Sequence, residues 1–267
     1  MQEFLIDEFY QRMRGVDLNV YGIVDTKNRI HTLGTDSKII GRVFEILMQP
    51  ILEEIAAAHG LILETPQSQT NYPDFVMMTD KESKEKIAID IKTTYVKKPN
   101  SSIKFALGSY ASYLRTNKKN IQYVYTDYAK HYVIGVIYQR NAQAQESLVY
   151  DNAEKGKIEI PYKNVRYFIQ EKYKIAGEKT GSGNTESIGS FRTSAIEDLR
   201  EGKGPFAELG KDIFELYWMY YPKYRNKEKT YTTLEEFRAW FLQQDSAPLL
   251  LHPYDYREVR KKLEQMK

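Results

Sequence analysis

Two aspartates and a lysine raise the first chemical question. Pro73-Asp74 is followed, after residues 75–89, by Asp90-Ile91-Lys92. Residues two apart in a strand project from the same side, which puts the heads of Asp90 and Lys92 within roughly 7 Å of each other. Asp74 opens the preceding strand, so hairpin pairing can bring its carboxylate beside that of Asp90. Two carboxylates on one face repel unless a cation joins them, and oxygen donors favour a hard ion such as Mg²⁺. Such an ion polarises a phosphodiester and steadies the leaving 3′ oxygen. Lys92 adds positive charge where the pentacovalent phosphate gathers negative charge, and it could orient or deprotonate a water if its pKa were lowered. Asp-x-Lys alone recurs by chance and equally describes an ion pair on a solvated strand face. Pro-Asp at a hairpin's distance and Glu45 on a nearby amphipathic helix narrow that choice.

For these groups to meet, strands must form around them. Lys86 to Tyr95 alternates, with Ile87, Ile89 and Ile91 on one side and Ala88, Asp90 and Lys92 on the other. Leu61 to Glu64 and Asp74 to Thr79 read as strands, and Tyr132 to Tyr138, apolar nearly throughout, as a central one. Glu45 comes from a helix over Ser37 to His59, stopped by Gly60 and bent at Pro50. On its wheel Phe44, Leu47, Met48, Ile51, Leu52 and Ile55 form one apolar arc, with Glu45 at the edge. Residues 2–14 read as an amphipathic helix, and Asn19 to Val24 with Arg29 to Leu33 as a hairpin. Gln139 to Lys163 is polar and irregular, a candidate joint between sublobes. Further helices are predicted at Ile213 to Tyr221, at Leu234 to Gln243 behind a Thr232/Glu235 capping box, and at Tyr254 to Met266. The expected architecture is α/β: one domain with a mixed β-sheet flanked by helices. Its sublobes are 1–138, a C-terminal lobe 139–244, and an extension 245–267 of unassigned role.

Composition narrows the class further. With 267 residues, 42% hydrophobic and 28% charged, the chain reads as soluble and globular. No apolar run approaches the roughly 20 residues of a membrane span, and residues 1–14 do not read as a signal peptide. The absence of cysteine excludes disulfides and cysteine-ligated zinc and fits a reducing cytoplasm. His31, His59, His131 and His252 are scattered, so any metal is held by oxygen. The net charge of +3 diagnoses nothing by itself, because clustering matters more than the sum. Basic clusters do occur at Lys97-Lys98, Lys118-Lys119, Lys223 to Lys229 and Arg257 to Lys262, compatible with a polyanionic partner.

Asp74, Asp90 and Lys92 fit the loose signature of the PD-(D/E)xK nuclease superfamily. Much longer stretches resemble its EcoRV family of type II restriction endonucleases. They include Leu33-Gly34, Phe44-Glu45, His59-Gly60, Tyr72-Pro73-Asp74-Phe75, the whole run Lys86 to Tyr95, and Ile103-Lys104-Phe105. Lys119-Asn120-Ile121, Ile134-Gly135, Ile175-Ala176-Gly177 and Gly181-Ser182-Gly183-Asn184-Thr185 continue the match, which fades over the last ~40 residues. The resemblance implies a homodimer embracing duplex DNA, with dimerisation and catalytic functions in 1–138 and DNA recognition in the C-terminal lobe. Asp74 and Asp90 would carry Mg²⁺, Lys92 would assist the attacking water, and Glu45 would have a secondary metal or orienting role. A bacterial cytoplasmic enzyme with a cognate DNA methyltransferase in the same cell is implied.

The same resemblance assigns Gly181, Ser182, Gly183, Asn184 and Thr185 to a major-groove loop reading the outer bases of GATATC, cut to blunt ends with 5′-phosphate and 3′-hydroxyl. The chemistry suits that use, since Asn can bond adenine bidentately and the Thr methyl can meet a thymine methyl. Glu186 and Ser187 depart from the family, which bears on the target sequence. Gln69 and Thr70 fall in the minor-groove loop, where Thr70 and Asn71 differ from the family. Thr93, Thr94, Ser112, Asn117 and Lys119 match positions that hold backbone phosphates, contacts that position without specifying. Two other readings stand beside this one: a nuclease of different site specificity, and a sequence-specific DNA-binding protein with a catalytically silent nuclease fold.

Overall fold

The computed structural model describes residues 4–68, 70–116, 119–181, 187–223, 229–244 and 254–266. The first half of the chain runs α1 (Phe4–Arg12), β1 (Gly22–Val24), β2 (Arg29–Leu33), α2 (Ser37–Ala58), β3 (Ile62–Glu64), β4 (Phe75–Met78) and β5 (Lys86–Tyr95). There follow α3 (Tyr110–Thr116), β6 (Tyr128–Arg140), β7 (Glu146–Asp151), β8 (Tyr162–Glu171), α4 (Lys172–Ile175), β9 (Ala176–Thr180) and β10 (Ile188–Ser190). Four helices close it: α5 (Ile196–Arg200), α6 (Lys211–Tyr220), α7 (Leu234–Leu242) and α8 (Tyr256–Gln265).

The central sheet has the order β3-β4-β5-β6-β8. Its first three strands meet antiparallel, β5 and β6 run parallel, and β8 returns antiparallel to β6. The sheet is therefore mixed, as the sequence predicts. Its parallel pair is covered on both faces, the usual condition for such strands. One face packs Ile87, Ile89 and Ile91 against Leu5 and Phe9 of α1 and Phe44, Met48 and Leu52 of α2. The other packs Val76, Ala88, Val133 and Ile137 with Phe214, Trp218, Phe237 and Leu263. Gly135 of β6 has no space for a side chain, because a Cβ there would lie 2.1 Å from the Phe168 ring.

The helix that carries Glu45 follows its sequence signals closely. Asp36 caps α2 by accepting from the Lys38 and Ile39 amides at 2.8 and 3.1 Å. The helix continues through Pro50, and the chain leaves it at Gly60 with φ of +65°, a left-handed turn that glycine enters freely.

Two expectations and one alternative reading are corrected. The polar stretch Gln139 to Lys163 is not irregular: β6 runs on to Arg140, β7 pairs with β2 in a second sheet ordered β1-β2-β7, and β8 already begins at Tyr162. The capping box of α7 sits one residue later than predicted, on Thr233 and Glu236. Glu236 also accepts from the Thr232 amide at 2.6 Å, so both threonines share the cap. The alternative reading of Asp90 and Lys92 as an ion pair on a solvated strand face fails, because Asp90 is only 2% exposed.

Candidate active site

Asp90 and Lys92 project from the same side of β5, and Lys92 Nζ donates to Asp90 Oδ1 at 2.8 Å. Asp74 stands one residue before β4, whose register pairs Phe75 with Ile89. Just past the last of these pairs, the Asp74 carboxylate takes over, accepting from the Ile91 amide at 2.6 Å. A side chain thus satisfies a backbone donor where the ladder ends. Lys172 reaches in from the first residue of α4 and donates to Asp90 Oδ2 at 3.0 Å. Tyr72 and Tyr113 stack beside the cluster with ring centroids 4.8 Å apart, and Lys172 lies 4.2 Å from the centre of the Tyr72 ring.

Burial and like charge act on these groups in opposite directions. Burial, then the neighbouring Asp90 and Glu45 carboxylates, push Asp74 up to about 7 despite the pull of Lys92. Burial also works against the Asp90 carboxylate, but the ammonium groups of Lys172 and Lys92 outweigh it and hold Asp90 below its ordinary value. For Lys92 the cost of burial is overcome by Asp90 and Asp74, which raise its pKa. Lys172 is more deeply enclosed, and burial brings it down to about 8 although Asp90 opposes the shift. Tyr113 is pushed up to about 12, by burial first and then by Asp90.

The structure brings together Asp74, Asp90 and Lys92, with Glu45 near enough to act on Asp74. Glu45 accepts from Arg42 at 2.5 Å, and its side chain is one-quarter exposed at the edge of α2, as its place on the wheel predicts. Thr93 and Thr94 follow Lys92 on β5, both half-buried. Ser112 lies on α3 next to Tyr113, and Lys119 is exposed. Thr70 is exposed, its hydroxyl 3.0 Å from that of Ser68. Tyr72 is tied to the stretch after Lys119 by its amide to Asn120 O at 2.9 Å and by Gln122 N to its own carbonyl at 2.8 Å. Gln69, Asn117, Ser182, Gly183, Asn184 and Thr185 lie outside the described residues, and of the predicted base-reading loop only its stem is described. There Gly181 N donates to Ser187 O at 2.8 Å.

Sequence reasoning missed Lys172, Tyr113 and Tyr72. Tyr72 was within reach, standing beside Pro73-Asp74. Lys172 gave no usable signal, because it meets Asp90 across 82 positions of chain.

Among the described residues, no three acidic, histidine or cysteine side chains converge into a ready metal cage. The donor set is two aspartate carboxylates, all oxygen, with Asp74 carrying an electrostatic cost that Lys92 and the Ile91 amide only partly relieve. That set suits a hard divalent ion which takes its remaining ligands from water and phosphate.

Two buried aspartates with lysines beside them, where β4 begins against the middle of β5, suit an enzyme that hydrolyses phosphodiesters. The sequence profile of the family described as Restriction endonuclease EcoRV matches residues 14–242. The Type II restriction enzyme EcoRV of Escherichia coli is 42% identical over 238 residues, 88% of this chain and 95% of that protein. The chain belongs to the EcoRV family of type II restriction endonucleases. Among solved structures, the NlaIV restriction endonuclease aligns over 98% of this chain and 95% of its own, at a TM-score of 0.36 and 9% identity, too distant to add to the assignment. Nucleases of this family generally depend on a metal ion.

Proposed function

We propose that this restriction endonuclease uses Mg²⁺ to cut duplex DNA at GATATC, leaving blunt ends with 5′-phosphate and 3′-hydroxyl. The observation that carries the chemistry is the cluster of Asp74, Asp90 and Lys92, in which two buried carboxylates lie close together and Lys92, Lys172 and the Ile91 amide relieve them only in part. Asp74 and Asp90 would hold the ion, which when bound polarises the scissile phosphate and stabilises charge on the leaving oxygen. Lys92, held charged by its two carboxylate neighbours, places a positive group where the phosphate gains negative charge. Its raised pKa favours this electrostatic part over that of a base. Glu45 acts from the rim, through its field on Asp74 and its bond to Arg42.

The target sequence rests on the family match and on Gly181, Ser182, Gly183, Asn184 and Thr185 in the chain, with Gln69 and Thr70 at the minor groove. Thr93, Thr94, Ser112, Asn117 and Lys119 position the backbone. A symmetric dimer presents each loop twice and so prefers a two-fold symmetric site. The homodimer is supported by the β1-β2-β7 sheet, which leaves Ile23, Val24 and Val149 more than 45% exposed, at 63%, 57% and 49%. A cytoplasmic setting with a protecting methyltransferase follows from the restriction role. No helix among the described residues is long and apolar enough to cross a membrane.

Digestion of a linear duplex carrying a single GATATC, with and without Mg²⁺, tests the proposal. Two blunt fragments with ends mapping to the centre of that site are expected. Cleavage confined to another sequence would discard GATATC and keep the nuclease.

A further inference from the structure

The second cation on Asp90 comes from a distant part of the chain. The Lys172 side chain is 1% exposed, with Nζ 3.0 Å from Asp90 Oδ2 and 3.4 Å from the Leu107 carbonyl oxygen. Burying an ammonium is costly unless anion, carbonyl and aromatic partners compensate it, and here all three are present. Lys92 already occupies Oδ1 of the same carboxylate at 2.8 Å. One such contact leaves the carboxylate free to turn, because the torsion of an aspartate head group is broad. A second contact on the other oxygen, from a separate element, removes that freedom.

The anchorage of Lys172 is firm on both sides. It begins α4, which joins β8 of the central sheet to β9. Leu107, whose carbonyl it approaches, donates its amide to Ile188 O of β10 at 2.8 Å. The lysine therefore spans from the catalytic strand to the β9-β10 hairpin.

We propose that Lys172 is a positioning residue for phosphodiester cleavage: it pins Asp90 Oδ2 and so fixes the direction in which the rest of that carboxylate faces. The inference rests on the reading of Asp90 as the carboxylate that serves catalysis. It also makes Lys172 a competitor of any cation for Asp90 Oδ2. Removing its charge then has two opposed effects, a slower reaction from a loosened carboxylate and tighter cation binding from a freed oxygen.

Lys172→Met, which keeps the apolar stem, separates these effects in the full-length protein. Its kcat on duplex DNA is expected to fall by about tenfold or more, with KM within about threefold of wild type. Mn²⁺ binding, titrated calorimetrically on the protein bound to an uncleavable duplex, is expected to tighten by about threefold or more. Lys172→Arg should recover most of the lost kcat. A smaller fall in kcat, or Mn²⁺ binding that is unchanged or weaker, would overturn the proposal, because a merely structural lysine loosens the site for metal and reaction alike. Should Lys172→Met lose its cooperative melting transition, Lys172→Gln is judged by the same criteria. A wild-type protein that cuts no duplex overturns the role of Asp90 itself; an active wild type with an indifferent Lys172→Met overturns only the role of Lys172.

Discussion

Asp74 and Asp25 are both aspartates that accept backbone N–H groups, and the protein treats them in opposite ways. Asp25 closes the turn between β1 and β2, accepting from the Lys27 and Arg29 amides at 2.9 and 3.0 Å and from the Arg29 guanidinium at 2.7 and 2.9 Å. His31 Nε2 lies 3.0 Å from the same carboxylate. The His31 contact, then those of Arg29, hold Asp25 well below the usual carboxylate range at a half-buried turn. Asp74 also has a short amide contact, but burial and the charges of Asp90 and Glu45 push it up to about 7. The same side chain is a staple at the periphery and a stored electrostatic cost at the centre. A cost of that kind is one that a bound cation would relieve.

The sharpest test of this contrast is Asp90→Asn. Cleavage is expected to fall on the order of 10³-fold or more, measured as single-turnover cutting of a plasmid. A rate within about tenfold of wild type would remove Asp90 from the reaction. Asparagine is preferred to alanine here because Asp90 is enclosed by two lysines, and a cavity beside two unpaired ammonium groups would confuse loss of fold with loss of chemistry.

Asp74→Asn comes next and is read on stability rather than on cleavage, where a gain is expected. A carboxyl whose folded pKa lies above its unfolded value favours the folded state below about 4 and loses that advantage as pH rises toward 7. In EDTA at pH 8 the amide escapes this penalty, so Asp74→Asn is expected to melt higher than wild type, by roughly 2–4 °C. The difference should shrink at pH 4 and on adding Mg²⁺ to the wild type. A variant that melts lower than wild type at pH 8 would mean that Asp74 is not under strain.

Asp25→Asn should give the smallest change and complete the comparison. The depressed pKa of Asp25 contributes stability above about pH 4, lost as pH falls through its still lower folded value. At pH 7 the variant is expected to melt slightly lower than wild type, by less than the Asp74→Asn shift, and the gap should close in acid below pH 4. A gap that widened in acid would contradict the assignment.

What the sequence made legible follows the same division between local and distant causes. The alternation in Lys86–Tyr95 located β5 to the residue, because each side chain there answers to its own face of the sheet. β8 stayed hidden because Tyr162–Glu171 starts polar and ends in a run of four buried residues, Phe168 to Glu171, with no period of two. β7 is exposed over nearly its whole length and finds its place only by pairing with β2. The threonine that caps α7 was ambiguous because Thr232 and Thr233 both precede a usable glutamate. Asp74, Asp90 and Lys92 were readable because one hairpin positions all three. The burial of Asp90 was not, because it depends on α4 and on helices contributed from far along the chain.

The last helix carries a consequence for modularity. The family profile ends at residue 242, yet α8 lies beyond it and buries Val259 and Leu263 in the core shared with α6 and α7. Arg238 of α7 donates to Leu263 O at 2.7 Å, and Tyr254 donates to the fully buried Glu215 of α6. Residues beyond the span of the family profile therefore contribute to the core on one face of the central sheet. Cutting the chain at residue 242 would remove this helix and leave Phe241 without the Tyr256 ring that lies 5.4 Å from it, so the end of a sequence match is not the end of the folded core.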